Sequence, residues 1–120
     1  MSQKILVIDD DMVTQNMLVS TLTKAGYSVI VASNGNLGLE AASSQLPGLI
    51  ILDIIMPGKD GIEVASILKR DPKTDKIPII FLSTLITERG KKSKSHDDSI
   101  TYLSKPYNVD ELLSEIRKYL

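Results

Sequence analysis

Apolar runs and helical patterns alternate along this chain. Five short, nearly continuous apolar runs predict buried β-strands, at about residues 4–9, 27–32, 49–53, 78–83 and 100–104. Apolar residues at helical spacing predict helices over 13–25, around 37–41, at about 60–70 and over 109–120. Strands that alternate with helices in this way predict a parallel sheet covered by helices on both faces.

Residues at the predicted helix ends support these assignments. Asp11 precedes the first helix as a capping residue, and Gly26 follows it where a C-terminal glycine ends a helix. Asp71 precedes a proline and therefore ends the third helix. Asn108 can cap the last helix, and Asn34-Gly35 is typical of a turn.

Two helices carry the apolar stripe of a helix that packs on a sheet. In the first helix the stripe comprises Val13, Met17, Leu18, Leu22 and Ala25. In the last helix it comprises Val109, Leu112, Leu113, Ile116 and Leu120. Five strand–helix units favour the flavodoxin-like α/β fold, a (βα)5 three-layer sandwich with a parallel five-stranded sheet in the order 2-1-3-4-5.

The segment 86–99 departs from this alternation. It is long enough for a helix but has no apolar stripe after Ile86, and Gly90 and three serines lower its helix propensity. We expect a short helix or an ordered loop here, and a binding surface that orders on contact is the functional alternative. His96 has no partner pattern and fits a solvated loop.

Composition narrows the classes of function. The chain has 120 residues, of which 42% are hydrophobic, and this predicts one domain over 1–120 with a sizeable core. A net charge of −1 gives no overall attraction to nucleic acid or to an anionic membrane. The absence of cysteine excludes disulfides and thiolate metal sites. We therefore expect a cytoplasmic protein without a membrane segment and without direct nucleic-acid binding by this domain.

Polar residues follow four of the predicted strands. Asp53 closes the third strand, and an acid beside a buried strand is costly unless it has a use. The other three strand ends carry 9–11 (three aspartates), Ser83 with a neighbouring threonine, and Lys105 with a proline. Ligands of such sheets bind outside the carboxyl ends of the strands. The sequence therefore predicts a single site there that handles a metal ion and a phosphoryl group.

The residue types suit phosphoryl transfer. Asp9, Asp10 and Asp53 would repel one another strongly without a cation. Mg²⁺ is the natural choice, because it takes one or two carboxylates and completes its shell with water and phosphate oxygens. Lys105 adds a second positive charge, and Ser83 adds a hydroxyl. Such a site favours transfer to a carboxylate oxygen, where positioning and charge neutralisation dominate.

Four motifs, in order along the chain, give a resemblance to a known family. They are ILVIDDD (5–11), IILDIIMPGKDG (50–61), IIFLST (79–84) and YLSKPY (102–107). Each motif is weak alone, but the ordered set with this spacing is specific. The chain resembles the response-regulator receiver domain of two-component signalling.

The resemblance implies the roles of the acidic residues. Asp53 matches the phosphoacceptor and is also a metal ligand. Asp10 matches the direct Mg²⁺ ligand, and Asp9 the acid that holds the metal through water. The backbone carbonyl of Ile55 would be a further ligand, and Gly61 fits the family turn after the acceptor strand.

The resemblance implies the remaining site residues as well. Ser83 matches the switch hydroxyl that turns toward the phosphoryl group, and Lys105 the lysine that pairs with that group. Tyr102 matches the aromatic switch residue of the fifth strand. Pro106 matches the proline that usually follows a cis peptide bond.

The resemblance also implies partners. A sensor histidine kinase or a histidine phosphotransfer protein would supply the phosphoryl group, and an effector protein or a fused output domain would respond. A phosphorylation-dependent homodimer is a further expectation. The protein would not be an enzyme beyond its own phosphorylation and dephosphorylation. Ile55 and Leu85 would flank the acyl phosphate, and two bulky apolar side chains there predict a long-lived phosphoryl state.

Two alternatives remain open at this point. The first is a haloacid-dehalogenase-like phosphatase, because 9–13 fits the Asp-x-Asp-x-Thr/Val opening of that family. Against it, the acidic pair 97–98 precedes Lys105, the reverse of the expected order, and Asp53 has no role. The second is a degenerate receiver that binds partners without phosphorylation, which the intact acids and lysine argue against.

Overall fold

The computed structural model describes residues 3–85 and 99–120. In chain order the elements are β1 (Lys4–Ile8), α1 (Met12–Lys24), β2 (Ser28–Ala32), α2 (Gly35–Gln45), β3 (Leu49–Leu52), α3 (Gly61–Arg70), β4 (Ile79–Ser83), β5 (Ile100–Ser104) and α4 (Val109–Arg117). Each predicted strand and helix is present, with ends that differ by up to four residues. The expectations for 86–98, including His96, lie outside the described residues. No helix in the described part of the chain is long and apolar enough to cross a membrane.

The five strands form one parallel sheet in the order β2-β1-β3-β4-β5, which confirms the predicted flavodoxin-like topology. Ile8 of β1 pairs with Leu52 of β3, and Leu52 in turn pairs with Phe81 of β4. The ladder continues one residue further, because the backbone N–H of Asp53 donates to the Ile8 carbonyl at 3.0 Å. The carboxyl ends of the central strands therefore meet at one edge of the sheet.

Successive strand residues pack into two different cores. Side chains of one set pack with α2 and α3, among them Leu6, Ile8, Ile50, Leu52 and Phe81. The alternate set packs with α1 and α4, among them Ile5, Val7, Ile51, Ile80 and Leu82. Because both faces of the central strands are covered, their sequences are continuous apolar runs rather than alternating patterns.

The predicted apolar stripe of α1 is wider than the face that the helix buries. Leu18 and Leu22 are fully buried, but Val13 and Met17 are 65% and 53% exposed. Consecutive helical residues are rotated by about 100°. Met17 therefore points well away from Leu18, and Val13 further still. The assignment of Val13 and Met17 to the packed face was wrong.

Helix α2 packs closely against the sheet through small residues. A Cβ atom at Gly38 would lie 2.5 Å from the Cδ1 atom of Ile8, so that any larger residue would force the Ile8 side chain to move. Ala42 is fully buried, whereas Leu37, expected on the apolar face, is 48% exposed. Asn34, predicted as part of a turn, instead caps α2 by accepting the Leu37 N–H at 2.8 Å. The small buried residues explain why the helical pattern is weak here.

Four other helix ends match the expectations. Asp11 caps α1 by accepting the N–H groups of Val13 and Thr14, and Asn108 caps α4. Gly26 follows α1 with a φ angle of +97°, a conformation that glycine adopts without strain. Asp71 ends α3 in an extended conformation before the proline.

Candidate functional site

Asp53 lies at the carboxyl end of β3, where it is only 6% exposed. One of its carboxylate oxygens, Oδ1, accepts the backbone N–H of Ile55 at 3.3 Å. The other, Oδ2, accepts from the ammonium group of Lys105 at 3.3 Å. The sheet thus fixes the backbone of Asp53, while the side chain is held from two sides.

Asp9 and Asp10 follow β1, the neighbouring strand. Asp9 is 2% exposed, and its Oδ1 accepts the backbone N–H of Asp11 at 2.9 Å. Its Oδ2 accepts from Lys105 Nζ at 2.8 Å. Asp10 is exposed. The sequence predicted that Asp11 serves as a helix cap rather than as part of the site, and its hydrogen bonds to α1 confirm this.

The three acids could hold a metal ion. Asp9, Asp10 and Asp53 each offer one carboxylate oxygen, and these oxygens all lie within 4.8 Å of one another. An all-carboxylate set suits a hard divalent cation. The ammonium group of Lys105 already contacts two of the acids, which shows that this pocket accommodates positive charge. The backbone carbonyl of Ile55, a predicted ligand, stays a prediction.

Burial and charge act differently on the two partners of the Asp9–Lys105 ion pair. Burial raises the pKa of Asp9 above its ordinary value, and the hydrogen bonds from Lys105 and Asp11 offset this only in part. Burial lowers the pKa of Lys105, but its hydrogen bond and charge interactions with Asp9 and Asp53 outweigh this, and the pKa is raised overall. The Asp9 side chain is the more buried of the two, at 3% exposed against 15%. Desolvation therefore dominates for the acid, and pairing dominates for the amine.

The candidate switch residues lie on β4 and β5, the two strands that follow β3 in the sheet. Ser83 is fully buried at the end of β4, and its hydroxyl oxygen accepts the N–H of Leu85 at 3.4 Å. Thr84, the competing hydroxyl, is exposed. Tyr102 of β5 is half-buried and stacks on Phe81, with ring centroids 5.2 Å apart and planes 19° apart. Strand pairing places Ser83 on the neighbour of β3 and Tyr102 one strand further on, and among the hydrogen bonds of the described residues none joins either side chain to the three acids.

The loop after β5 presents Lys105 to the acids. The backbone N–H of Lys105 donates to the Ser83 carbonyl at 3.1 Å, which extends the β4–β5 ladder past the strand end. The peptide bond between Lys105 and Pro106 is cis. Two residues after Lys105, Tyr107 forms a 3.0 Å hydrogen bond with Thr21 of α1. The loop is therefore tied to both β4 and α1.

The turn that follows Asp53 depends on a close backbone approach at Gly61. A Cβ atom at Gly61 would lie 2.1 Å from the Asp53 carbonyl oxygen. The Gly61 N–H donates to the Ile54 carbonyl at 2.9 Å, so that α3 begins directly against the end of β3. Ile55, two residues after Asp53, is 52% exposed, and Leu85, two residues after Ser83, is 62% exposed.

Sequence reasoning missed one residue near the site. Gln15 of α1 donates a hydrogen bond from its side-chain amide to the backbone carbonyl of Asp9. In the sequence, Gln15 is only a polar residue on the first turn of α1, six positions after Asp9. Such a residue is too common to indicate a contact with the site.

Comparisons with known proteins agree with this geometry. A family model described as the response regulator receiver domain matches residues 5–117. Sporulation initiation phosphotransferase F of Bacillus subtilis is 33% identical over 121 residues, which cover 100% of this chain and 95% of that protein.

Two further comparisons concern length and structure. The DNA-binding dual master transcriptional regulator RpaA of Synechocystis is 36% identical over 98% of this chain, and the chain spans 48% of RpaA. The crystal structure of the chemotaxis protein CheY4 of Vibrio cholerae matches with a TM-score of 0.86, at 28% identity over the whole of both chains.

Proposed function

Because this chain belongs to the response-regulator receiver domain family, we propose that it is a phosphoacceptor that receives a phosphoryl group on Asp53. The observation that carries the proposal is the placement of Asp53. It is buried at a strand end, 3.3 Å from the Lys105 ammonium group and grouped with Asp9 and Asp10. We propose that residues 1–120 form one receiver domain.

The proposed donor is a phosphohistidine on a sensor kinase or a histidine phosphotransfer protein. A carboxylate oxygen of Asp53 attacks phosphorus, and the phosphorus–nitrogen bond breaks. The electron pair of that bond stays with the imidazole nitrogen, which takes up a proton from solvent. The product is an acyl phosphate on Asp53.

Asp10 and Asp53, with the Ile55 carbonyl, would bind Mg²⁺ directly, and Asp9 would bind it through water. When bound, Mg²⁺ neutralises charge on the transferring phosphoryl group. Lys105 supplies a further positive charge to the new phosphoryl oxygens, which requires it to exchange at least part of its present pairing with Asp9.

The output step is a local rearrangement near Ser83. Its hydroxyl is held only by a long hydrogen bond from Leu85 within the described residues, and can turn toward the phosphoryl oxygens. That turn vacates space on the side of the sheet where Tyr102 stacks on Phe81. Movement of Tyr102 would then alter the surface that an effector protein, an output domain or a second copy of the chain reads.

The test is phosphorylation by labelled acetyl phosphate with Mg²⁺. The unmodified protein should incorporate label, and Asp53→Asn should lose nearly all of it. Asp60→Asn is the matched control, because Asp60 lies in the same stretch of chain but caps α3, and asparagine caps equally well. The control should be labelled like the unmodified protein. Undiminished labelling of Asp53→Asn would refute the proposal, and label at Asp9 with turnover of phosphate esters would favour a phosphatase.

A further inference from the structure

We infer that Gln15 is a positioning residue for the metal site, because its side-chain amide holds the peptide group from which Asp10 projects. This inference rests on the proposed function, since it concerns the ion that Asp10 is proposed to bind. It adds to that function a residue on α1 that contacts neither the ion nor the phosphoryl group.

The main chain of Asp9 is held on two sides. Its N–H donates to the Ala32 carbonyl of β2 at 3.1 Å, which continues the sheet ladder. Its carbonyl accepts from the side-chain amide of Gln15. That carbonyl belongs to the peptide unit between Asp9 and Asp10. The sheet therefore holds the peptide unit before Asp9, and α1 holds the unit after it, from which Asp10 projects.

Gln15 is itself well anchored. It lies half-buried on the first turn of α1, and its backbone N–H donates to the Asp11 carbonyl at 3.0 Å. Asp11 caps the same turn and accepts the hydroxyl of Thr14 at 2.6 Å. The amide of Gln15 thus projects from a rigid, capped helix end toward the end of β1.

Asp10 depends on this anchor more than the other two acids do. Asp9 and Asp53 are buried and contact Lys105 directly. Asp10 is exposed, and within residues 3–85 and 99–120 its carboxylate accepts no hydrogen bond. Its oxygen nevertheless lies within 4.8 Å of those of the other acids. Only the backbone can maintain that placement, and Gln15 holds the peptide immediately before it.

Without the amide of Gln15, the Asp9 carbonyl would turn to solvent and the peptide unit could rotate. A neutral hydrogen bond of this kind shifts an equilibrium by roughly threefold to tenfold. The expected consequence of its loss is a Mg²⁺ affinity lower by about that factor, with greater motion of Asp10 in the metal-free protein.

The test compares Gln15→Met with Asn16→Met. Methionine matches glutamine in length but has no donor, and Asn16 is the exposed neighbour of Gln15 on the same turn. Mg²⁺ affinity is measured by NMR titration of the Asp10 and Asp53 amides in the full chain. Amide order parameters and the free energy of unfolding are measured for each variant in EDTA.

We expect Gln15→Met to weaken Mg²⁺ binding by about threefold to tenfold and to lower the order parameter of Asp10 but not that of Asp53. Asn16→Met should match the unmodified protein. Equal Mg²⁺ affinity of Gln15→Met and the unmodified protein would overturn the role of Gln15 alone. An unmodified protein that does not bind Mg²⁺ would overturn the proposed metal site and this inference together. If Gln15→Met does not fold, Gln15→Ala takes its place with the same expected outcomes.

Discussion

Replacement of Gly61 by alanine should damage both the fold and the candidate site. The added Cβ would meet the Asp53 carbonyl oxygen at 2.1 Å, and both the Asp53 carbonyl carbon and the Ile54 Cα atom at 2.8 Å. All three are backbone atoms, so no flexible side chain can move aside. The optimum separation of such atoms is about 3.5 Å, so the turn from Asp53 to α3 must shift on the order of an ångström.

The size of the effect follows from a comparison with Gly58→Ala in the same turn. Gly58 has a φ angle of +77°, and nothing lies within 4 Å of its added Cβ. Alanine at position 58 costs roughly 1–2 kcal/mol, because its backbone must adopt the left-handed conformation. About half of this cost is offset, because alanine lowers the conformational entropy of the unfolded chain. Overpacking at Gly61 should cost about 3 kcal/mol or more, a large share of the roughly 5–15 kcal/mol that stabilises a typical domain.

The assay is urea unfolding followed by far-UV circular dichroism, without Mg²⁺. The free energy of unfolding of Gly61→Ala should be lower than that of Gly58→Ala by about 2 kcal/mol. The shifted backbone carries Asp53. In the absence of urea, where both variants are folded, Mg²⁺ affinity should therefore be lower in Gly61→Ala but not in Gly58→Ala. Equal stabilities of the two variants would refute the argument from close approach.

Three further predictions concern other features. Ile55→Asn or Leu85→Glu should speed the decay of the phosphorylated protein, because each replaces an exposed apolar side chain, which the family resemblance places beside the acyl phosphate, by a polar group that can orient water; an unchanged decay rate would reject this. Burial raises the pKa of Asp9 above its ordinary value of 3.8, so the folded state keeps this proton to higher pH than the unfolded chain does. The free energy of unfolding should therefore fall as pH rises from 3.8 through the pKa of Asp9 in the folded protein. Asp9→Asn should reduce this pH dependence in Mg²⁺-free unfolding measurements, and an identical pH dependence would contradict the argument. Leu46 ends α2 at a φ angle of 48°, a strained left-handed conformation for leucine, and its side chain is half-exposed. Leu46→Gly should therefore raise the free energy of unfolding by about 0.5–1 kcal/mol. A lower free energy of unfolding, measured by heat or urea, would be evidence against this strain.

The strands and the acidic site were predictable because a parallel sheet aligns its strand ends. Once the apolar runs before Asp9 and Asp53 were assigned to neighbouring strands, the two acids had to lie at the same edge. Lys105 followed by the same reasoning from the fifth strand. The order and direction of the strands were sufficient to predict that these three residues lie at one edge of the sheet, without knowledge of side-chain contacts.

Features that depend on distances between elements were not predictable. The sequence offered Val13 and Met17 as buried residues, but the face that α1 buries is narrower than its apolar stripe. The burial at Gly38 reflects how closely α2 approaches Ile8, which no local pattern encodes. The hydrogen bond from Gln15 to Asp9 likewise depends on how α1 leaves the end of β1.

Ser83 and Thr84, the two adjacent hydroxyls, illustrate the difference between predicting where a residue lies and predicting what it does. The family resemblance assigned the hydroxyl role to Ser83, with Thr84 as the neighbouring competitor, and the structure buries Ser83 fully while Thr84 is exposed. Its proposed switching role is a separate matter, because that concerns a state of the protein with a phosphoryl group on Asp53.

The ammonium group of Lys105 acts as a resident counterion, shared by Asp9 and Asp53. Any external cation must compete with a charge that the chain itself supplies, and the strength of that competition depends on how the loop after β5 sits against β4 and α1. A binding protein that draws this loop outward would free the acids for a cation. By thermodynamic reciprocity, the cation would then strengthen the binding of that protein by the same factor.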